Sequence, residues 1–223
     1  MELIVGKKFI QHVPDYRGLL FEADVVNSPV GEEQMAEMDL MARRIAADYE
    51  VADINKIPAI AATRAAYKAC GKDPNRYRPS QEQLMRRIVR GLGLYNVSAV
   101  VDAGNQLSLL TGCSVGCFDR ELVDGDILRI GIGREGEPYE GIGRGVLNIA
   151  GLPIVRDASG GIGTPTSDNE RTKISGSTRR LVATVHLFDP AVDSAAVVDA
   201  FADLFTRHCS ATDIRHSKAV IGD

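Results

Sequence analysis

Over residues 17–27 apolar and polar positions alternate, with Leu19, Phe21, Ala23 and Val25 on one side and Leu20, Glu22 and Asp24 on the other, the period of a strand. The period then lengthens. Behind Gly31 and the acidic pair Glu32-Glu33, the residues Met35, Met38, Met41, Ala42 and Ile45 recur at helical spacing, which predicts a helix to about Tyr49 with its methionine stripe in the core. Pro58 opens a second, alanine-rich helix that Gly71 closes. Ser80 and Gln83 stand at capping-box spacing at the head of a third, and Gly91 supplies its stop. Residues 96–101 read as a short strand, with Asp102 placed to cap a helix to about Leu110. From Asp124 to Val155 short strands and glycine turns take over: Asp124-Gly125 and Glu135-Gly136-Glu137 are turns, and residues 127–132 a strand. A strand at 179–188 carries His186, expected to be structural, and residues 194–208 form an amphipathic helix with Val197, Ala200, Phe201, Leu204 and Phe205 on one face. Beyond Ser210 no pattern continues, and a frayed tail is expected. The sum is an α+β chain, a mixed β-sheet core with flanking helices, and 223 residues fit a single domain spanning 1–223.

Composition narrows the setting. Apolar residues make up 44% and charged residues 25%, ordinary for a globular protein, and no apolar run approaches the ~18 residues of a spanning helix. The opening MELIVGKKFIQH lacks a signal-peptide core, so a cytoplasmic protein with no membrane partner is expected. Four cysteines are too few for a disulfide framework in a chain of this length, so reduced thiols are expected. Cys113 and Cys117, four apart, can share a helical face, but no neighbouring histidine or second thiol pair completes a metal site, and none is expected.

Charge changes the picture locally. The net charge of −4 does not favour indiscriminate nucleic-acid binding. Between Arg64 and Arg90, however, eight basic residues face only Asp73 and Glu82. Two readings follow: a solvated helix face paired with carboxylates, or a phosphate-contacting patch in which Arg76, Arg78, Arg86 and Arg87 meet RNA.

The candidate chemistry lies further on. Gly131-Ile-Gly133-Arg-Glu-Gly136 matches the dinucleotide fingerprint, but Pro138 and the glycines at 141 and 143 continue it as turn and strand, leaving no helix N-terminus for a pyrophosphate. No Gly-x-Ser-x-Gly elbow, HExxH motif or P-loop is present, and no nucleotide cofactor is expected. Asn105 and Ser108, one helical turn apart, can point the same way. Residues 160–173 are too polar and glycine-rich to read as core. Gly161 and Gly163 allow close backbone approach beside Thr164, Thr166, Ser167, Asp168, Glu170 and Arg171, which is either a small-molecule site or a mobile hairpin loop.

The octapeptide Asp-Pro-Asn-Arg-Tyr-Arg-Pro-Ser at 73–80, the Arg86-Arg87-Ile88 helix and the run from Val101 to Leu109 together resemble the B3/B4 domain. That family forms the amino-acid-proofreading and RNA-contacting part of the phenylalanyl-tRNA synthetase beta subunit and also occurs as free-standing proteins. The resemblance covers roughly residues 55–188, with the N-terminal strand and helix and the C-terminal helix as additions. It implies a pocket between helix and sheet, built on Asp102, Asn105, Leu109, Gly112 and Phe118-Asp119. Where the bacterial synthetase pattern reads Met-His-Ala-Phe-Asp, this chain reads Val115-Gly116-Cys117-Phe118-Asp119, so Gly116 stands in place of the pocket histidine. Residues 160–170 resemble the family's Gly-Gly-Glu loop, with Thr166, Asp168 or Glu170 as stand-ins for its carboxylate.

The expected site is therefore Asp168 and Glu170 orienting water, with Asn105, Ser108, Gly116, Asp119, Gly161, Gly163 and Thr166 around the ligand. Because an aminoacyl ester is already activated, glycine N–H groups and one carboxylate suffice to hydrolyse it without a cofactor. The resemblance implies a protein that binds an amino acid or the 3′ end of an aminoacyl-tRNA and hydrolyses mischarged species, or else an RNA- or amino-acid-binding module without chemistry.

Overall fold

The computed structural model describes residues 1–222. Its first half is mainly helical. β1 (Glu2–Gly6), α1 (Lys7–His12) and β2 (Arg17–Asp24) lead into α2 (Glu32–Asp48), α3 (Pro58–Ala69), α4 (Ser80–Val89) and α5 (Ala99–Thr111). The second half is mainly strand: β3 (Ser114–Asp119), β4 (Ile127–Ile132), β5 (Glu140–Gly141), β6 (Gly145–Val146), β7 (Pro153–Arg156), β8 (Gly161–Thr164), β9 (Ser167–Asp168) and β10 (Arg180–Leu187). α6 (Ser194–Cys209), β11 (Thr212–Lys218) and β12 (Val220–Gly222) close the chain.

Two sheets carry the α+β architecture. One has the order β11-β2-β10-β3 and is antiparallel throughout. The other runs β12-β1-β4-β7-β8-β9, with β1 parallel to both its neighbours, and β5 pairs with β6 as a separate hairpin. The four-stranded sheet is the middle layer, and the period-2 pattern explains why. Leu19, Phe21 and Ala23 of β2 and Leu181, Ala183 and Val185 of β10 share one core cluster with α5 and α6. Leu20, Val182 and Phe118 share the opposite cluster with Leu3, Val5, Leu128, Ile130 and Val155 of the six-stranded sheet. Phe21, Phe201 and Phe205 form a stack with centroid separations of 4.0 and 4.1 Å, which seats α6 on the sheet. His186 is a core residue, with its Nδ1 2.8 Å from the Tyr16 hydroxyl, and burial pulls its pKa down to about 4.

Several local expectations give way to tertiary packing. Residues 96–101 are not a strand: the helix begins at Ala99 behind the N-cap position Ser98, because Ala99, Val100 and Ala103 are needed in the core against α6. Asp102 therefore lies inside the first turns rather than at the cap. The capping box at Ser80 does not form. The Ser80 N–H donates to the Pro165 carbonyl, and Gln83 reaches instead to the carbonyls of Arg78 and Thr166, 2.7 and 3.3 Å away. Of the methionine stripe only Met38 is fully buried. Cys113 and Cys117 share no helical face, since Cys117 lies on β3 and Cys113 just ahead of it, and all four cysteines are unpaired.

The largest correction concerns the tail. Residues 212–222 form two strands that extend both sheets, β11 along β2 and β12 along β1. A strand added at a sheet edge takes its stability from backbone pairing, so its polar side chains carry little sign of it. Likewise residues 161–164 are no loop, but a wholly buried strand between β7 and β9. No helix among the described residues is long and apolar enough to cross a membrane.

Candidate functional site

The free edges of the two sheets meet in one seam. β3 ends the four-stranded sheet, β9 ends the six-stranded one, and Asp168 on β9 bridges them: its Oδ2 accepts the Cys117 N–H at 3.2 Å. Around this carboxyl lies a cavity of about 230 Å³, walled by Val101 and Asn105 of α5, Val115 and Cys117 of β3, and Ile142 and Ile174 from flanking loops. Gly104 makes the wall thin, since a Cβ there would stand 2.9 Å from the Cys117 sulfur. Among the described residues Asp168 is the one carboxylate on this lining, and Lys173, an exposed residue, is the one cation. Burial among apolar walls pushes the Asp168 carboxyl up to about 7, against the pull of the Cys117 N–H. At neutral pH it therefore exchanges readily between carboxylate and acid, the range in which a general base works best.

The mouth of the cavity is held by Asp102. Its Oδ2 accepts the Val97 N–H at 2.7 Å and its Oδ1 accepts from Asn105 Nδ2 at 3.1 Å, so one fully buried carboxyl fixes a backbone segment and a side chain at once. Burial raises the pKa of Asp102, and these two hydrogen bonds pull it back.

Val97, Val101 and Asn105 also line a second, larger depression of about 430 Å³ that opens onto solvent. These three residues border both spaces, so the cavity and the depression lie side by side. Among the described residues five arginines, Arg78, Arg86, Arg87, Arg90 and Arg144, line the outer groove, and no carboxylate does. α4 presents Arg86 and Arg87, and Arg90 is its C-cap residue. Arg86 is half tied down, with Nε 2.8 Å from Glu82, and Arg78 stands 4.0 Å from the same carboxylate. Glu82 is fully buried and bonds Arg64 as well, at 2.9 Å, so Arg64 belongs to the scaffold rather than to the groove. Arg87 lies over the Tyr95 ring, 3.9 Å from its centroid. Arg144 comes from the β5–β6 turn and bonds the Gln83 side chain. Lys72 is drawn into the interior, donating to the carbonyls of Asn148 and Ala150 at 2.7 and 2.8 Å.

The structure thus sorts the sequence-predicted residues. Asp168 and Asn105 meet in the cavity, and Arg78, Arg86 and Arg87 meet in the groove. Arg76 is exposed and lies outside that lining. Glu170 does not join Asp168: it belongs to a 3-10 turn and pairs with Lys173. Ser108 is buried, donating to the Cys113 carbonyl at 2.6 Å, so it locks the helix end and does not face a ligand. Asp119 is occupied at both oxygens, by the Glu121 N–H at 3.0 Å and the Thr178 hydroxyl at 2.6 Å, and caps a turn. The Thr166 hydroxyl is spent on Tyr67, 2.8 Å away, although the residue borders the groove. Gly161 and Gly163 are strand residues needed for packing, because a Cβ would stand 2.6 Å from Ile154 in one case and 2.6 Å from Phe118 in the other. Neither lines the cavity, so their N–H groups are not placed for an oxyanion there.

Gly116 is explained by the same packing. A Cβ on it would meet Phe118 Cζ at 2.8 Å and both Asp168 Oδ1 and Thr184 Oγ1 at 3.2 Å. Phe118 fills the space that a larger side chain would need. The Thr184 hydroxyl beside it is buried and has no hydrogen-bond partner among the described residues.

Sequence reasoning missed Arg144, Tyr95 and the apolar wall of Val97, Val115, Ile142 and Ile174. Arg144 is distant in the chain from the basic segment, and the wall residues come from four separate stretches, so no spacing links them.

Comparisons with known proteins bear on the family and the fold. A family model described as the B3/4 domain matches residues 62–215. The phenylalanine–tRNA ligase beta subunit of Bartonella quintana (strain Toulouse) is 29% identical over 109 residues, which is 48% of this chain and 13% of that protein. The crystal structure of an N-terminal fragment of the phenylalanyl-tRNA synthetase beta-subunit from Pyrococcus horikoshii superposes with a TM-score of 0.53 at 10% identity, covering 100% of this chain and 52% of that fragment. That second likeness concerns the fold.

Proposed function

Because the chain belongs to the B3/4 domain family, we propose that it binds the aminoacyl end of an RNA, with the amino acid in the Asp168 cavity and the phosphates on the arginine groove, and hydrolyses the ester that joins them. The observation that carries this reading is the adjacency of the two spaces, which share Val97, Val101 and Asn105 in their linings. A ligand whose one end is a small, largely apolar amine and whose other end is a polyanion matches both at once. Free amino acids would leave the groove empty, and plain RNA would leave the cavity empty.

In this reading Asp168 is the catalytic residue. Its carboxylate form accepts a proton from the water as that water adds to the ester carbonyl, and returns the proton to the ribose oxygen as its bond to the carbonyl carbon breaks, releasing amino acid and RNA hydroxyl; a pKa of about 7 keeps the carboxylate populated at neutral pH without making it too weak a base. Asn105, held by Asp102, presents its remaining carbonyl oxygen to the ligand. The Pyrococcus and Bartonella proteins are named for tRNA charging, which makes tRNA the natural RNA to try first, in a cytoplasmic setting.

A second reading has its own support. The expected oxyanion donors at Gly161 and Gly163 are absent from the cavity lining, and Glu170 is paired with Lys173, which suits a module that binds without turnover. One experiment separates them: release of amino acid from a panel of correctly and wrongly charged tRNAs by wild type, Asp168→Asn and Glu170→Ala. Turnover on a mischarged species that Asp168→Asn abolishes and Glu170→Ala retains supports the hydrolase. Saturable binding with no release by any of the three proteins replaces it with the module.

A further inference from the structure

The loop between α4 and α5 holds a feature that neither phosphate contact nor amino-acid binding uses. Gly91 and Gly93, at φ +74° and +64°, turn the chain sharply out of α4. The loop then presents Leu92, Tyr95 and Val97 to solvent at 58, 51 and 60% exposure, all three on the lining of the arginine groove. Three large apolar side chains this exposed, side by side in one depression, are not explained by folding. One face of the Tyr95 ring is covered by the Arg87 guanidinium, whose Nη1 also donates to the Tyr95 hydroxyl at 3.3 Å. Half the side chain stays open. The Arg87 Nε is buried with no partner among the described residues, so the guanidinium keeps unspent donor capacity beside the ring.

Resting on the reading above, we propose that Tyr95, backed by Arg87, is a stacking platform for an unpaired nucleobase at the cavity mouth. An aromatic ring fixed by an arginine, beside further arginines and without carboxylates, fits a single-stranded nucleotide in both its parts: the base lies on the ring and the phosphates meet the cations. Charge decides against a neutral or basic peptide as occupant, and the open aromatic face among the cations favours a nucleotide, with its flat base and its phosphate, over an acidic peptide that brings no flat ring. Position gives the platform its role. Val97, two residues beyond Tyr95, lines the Asp168 cavity, so the stacked base belongs to the nucleotide nearest the ester. The site would then distinguish an amino acid esterified to a nucleoside from the free amino acid.

The chain contains no tryptophan, so Tyr95→Trp places a single fluorophore on the platform. A single-stranded RNA hexamer and an abasic ribose-phosphate hexamer of equal charge are titrated against Tyr95→Trp, and the affinities of wild type, Tyr95→Phe and Tyr95→Ala are measured for both. The expected result is quenching by the RNA and not by the abasic strand, with RNA affinity lowered about 5- to 100-fold in Tyr95→Ala and kept within about 3-fold in Tyr95→Phe. Equal RNA affinity in Tyr95→Ala and wild type, while Arg86, Arg87 and Arg90 replaced together by alanine still lose binding, overturns the platform and leaves the RNA reading standing. If wild type binds neither strand at low salt, the RNA reading fails and the platform goes with it.

Discussion

The arginine groove and the Asp168 cavity share three residues and differ in almost every physical respect. The groove is built from long side chains reaching into water, largely from one helix and the loop after it. The cavity is built from short apolar side chains and one carboxyl where two sheet edges converge. Charge in the groove is cheaper, because Arg78 and Arg90 are exposed to water and Arg86 has the Glu82 carboxylate and the Val51 carbonyl as partners. Charge in the cavity is costly, and the shifted Asp168 carboxyl shows the cost. The comparison teaches that a cation in a basic segment is evidence about a partner only if nothing inside the molecule claims it. Arg64 and Arg86 look alike in sequence, yet Arg64 serves the buried Glu82 and Arg86 serves both Glu82 and the groove.

The strongest test breaks the support beneath the groove. Replacing Glu82 by Ala leaves Arg64 and Arg86 without their shared buried carboxylate and should cost about 3–5 kcal/mol in chemical denaturation. Arg90→Ala, at an exposed position with no carboxylate beside it, should stay within about 0.5 kcal/mol. Equal losses would mean that the groove arginines are all structural.

The cavity predicts an inverse pH dependence. Asp168 has a folded pKa raised to about 7 from the ordinary 3.8 of an aspartate, so between those values the unfolded chain releases a proton that the native state keeps. Stability then falls as pH rises from about 4 to 7, and is level above and below. Asp168→Asn should remove roughly 2–4 kcal/mol of that fall, read as the difference between the two proteins' unfolding free energies across the range. A difference that does not change with pH would remove the buried carboxyl from the account. Gly116→His, which brings back the residue type of the synthetase pattern, should cost about 1–3 kcal/mol by displacing Phe118 and should not raise deacylation. Greater activity with unchanged stability would show that the pocket tolerates a side chain there.

The smallest effect sharpens the groove. Removing Arg90 should lessen the slope of log affinity against log salt for single-stranded RNA by about 0.7, one phosphate's worth, with stability unchanged. An unchanged slope would place the strand elsewhere.

By itself the sequence determined the helices at 32–48, 58–69 and 80–89, the strands β2, β4 and β10, and the C-terminal helix, because each carries a hydrophobic period or a glycine or proline boundary that acts within a few residues. It also showed the basic segment, and its family motifs led to the B3/4 domain. What only the tertiary structure decided is what each polar group is spent on. Asp119 and Ser108 close their own turns, Glu170 pairs with Lys173, and Gly161 and Gly163 make room for Ile154 and Phe118. The two terminal strands, the early start of α5 and the wall of the cavity escaped for the same reason. Each depends on backbone pairing or side-chain contact between stretches far apart in the chain, and neither leaves a period in the local pattern of hydrophobic and polar residues.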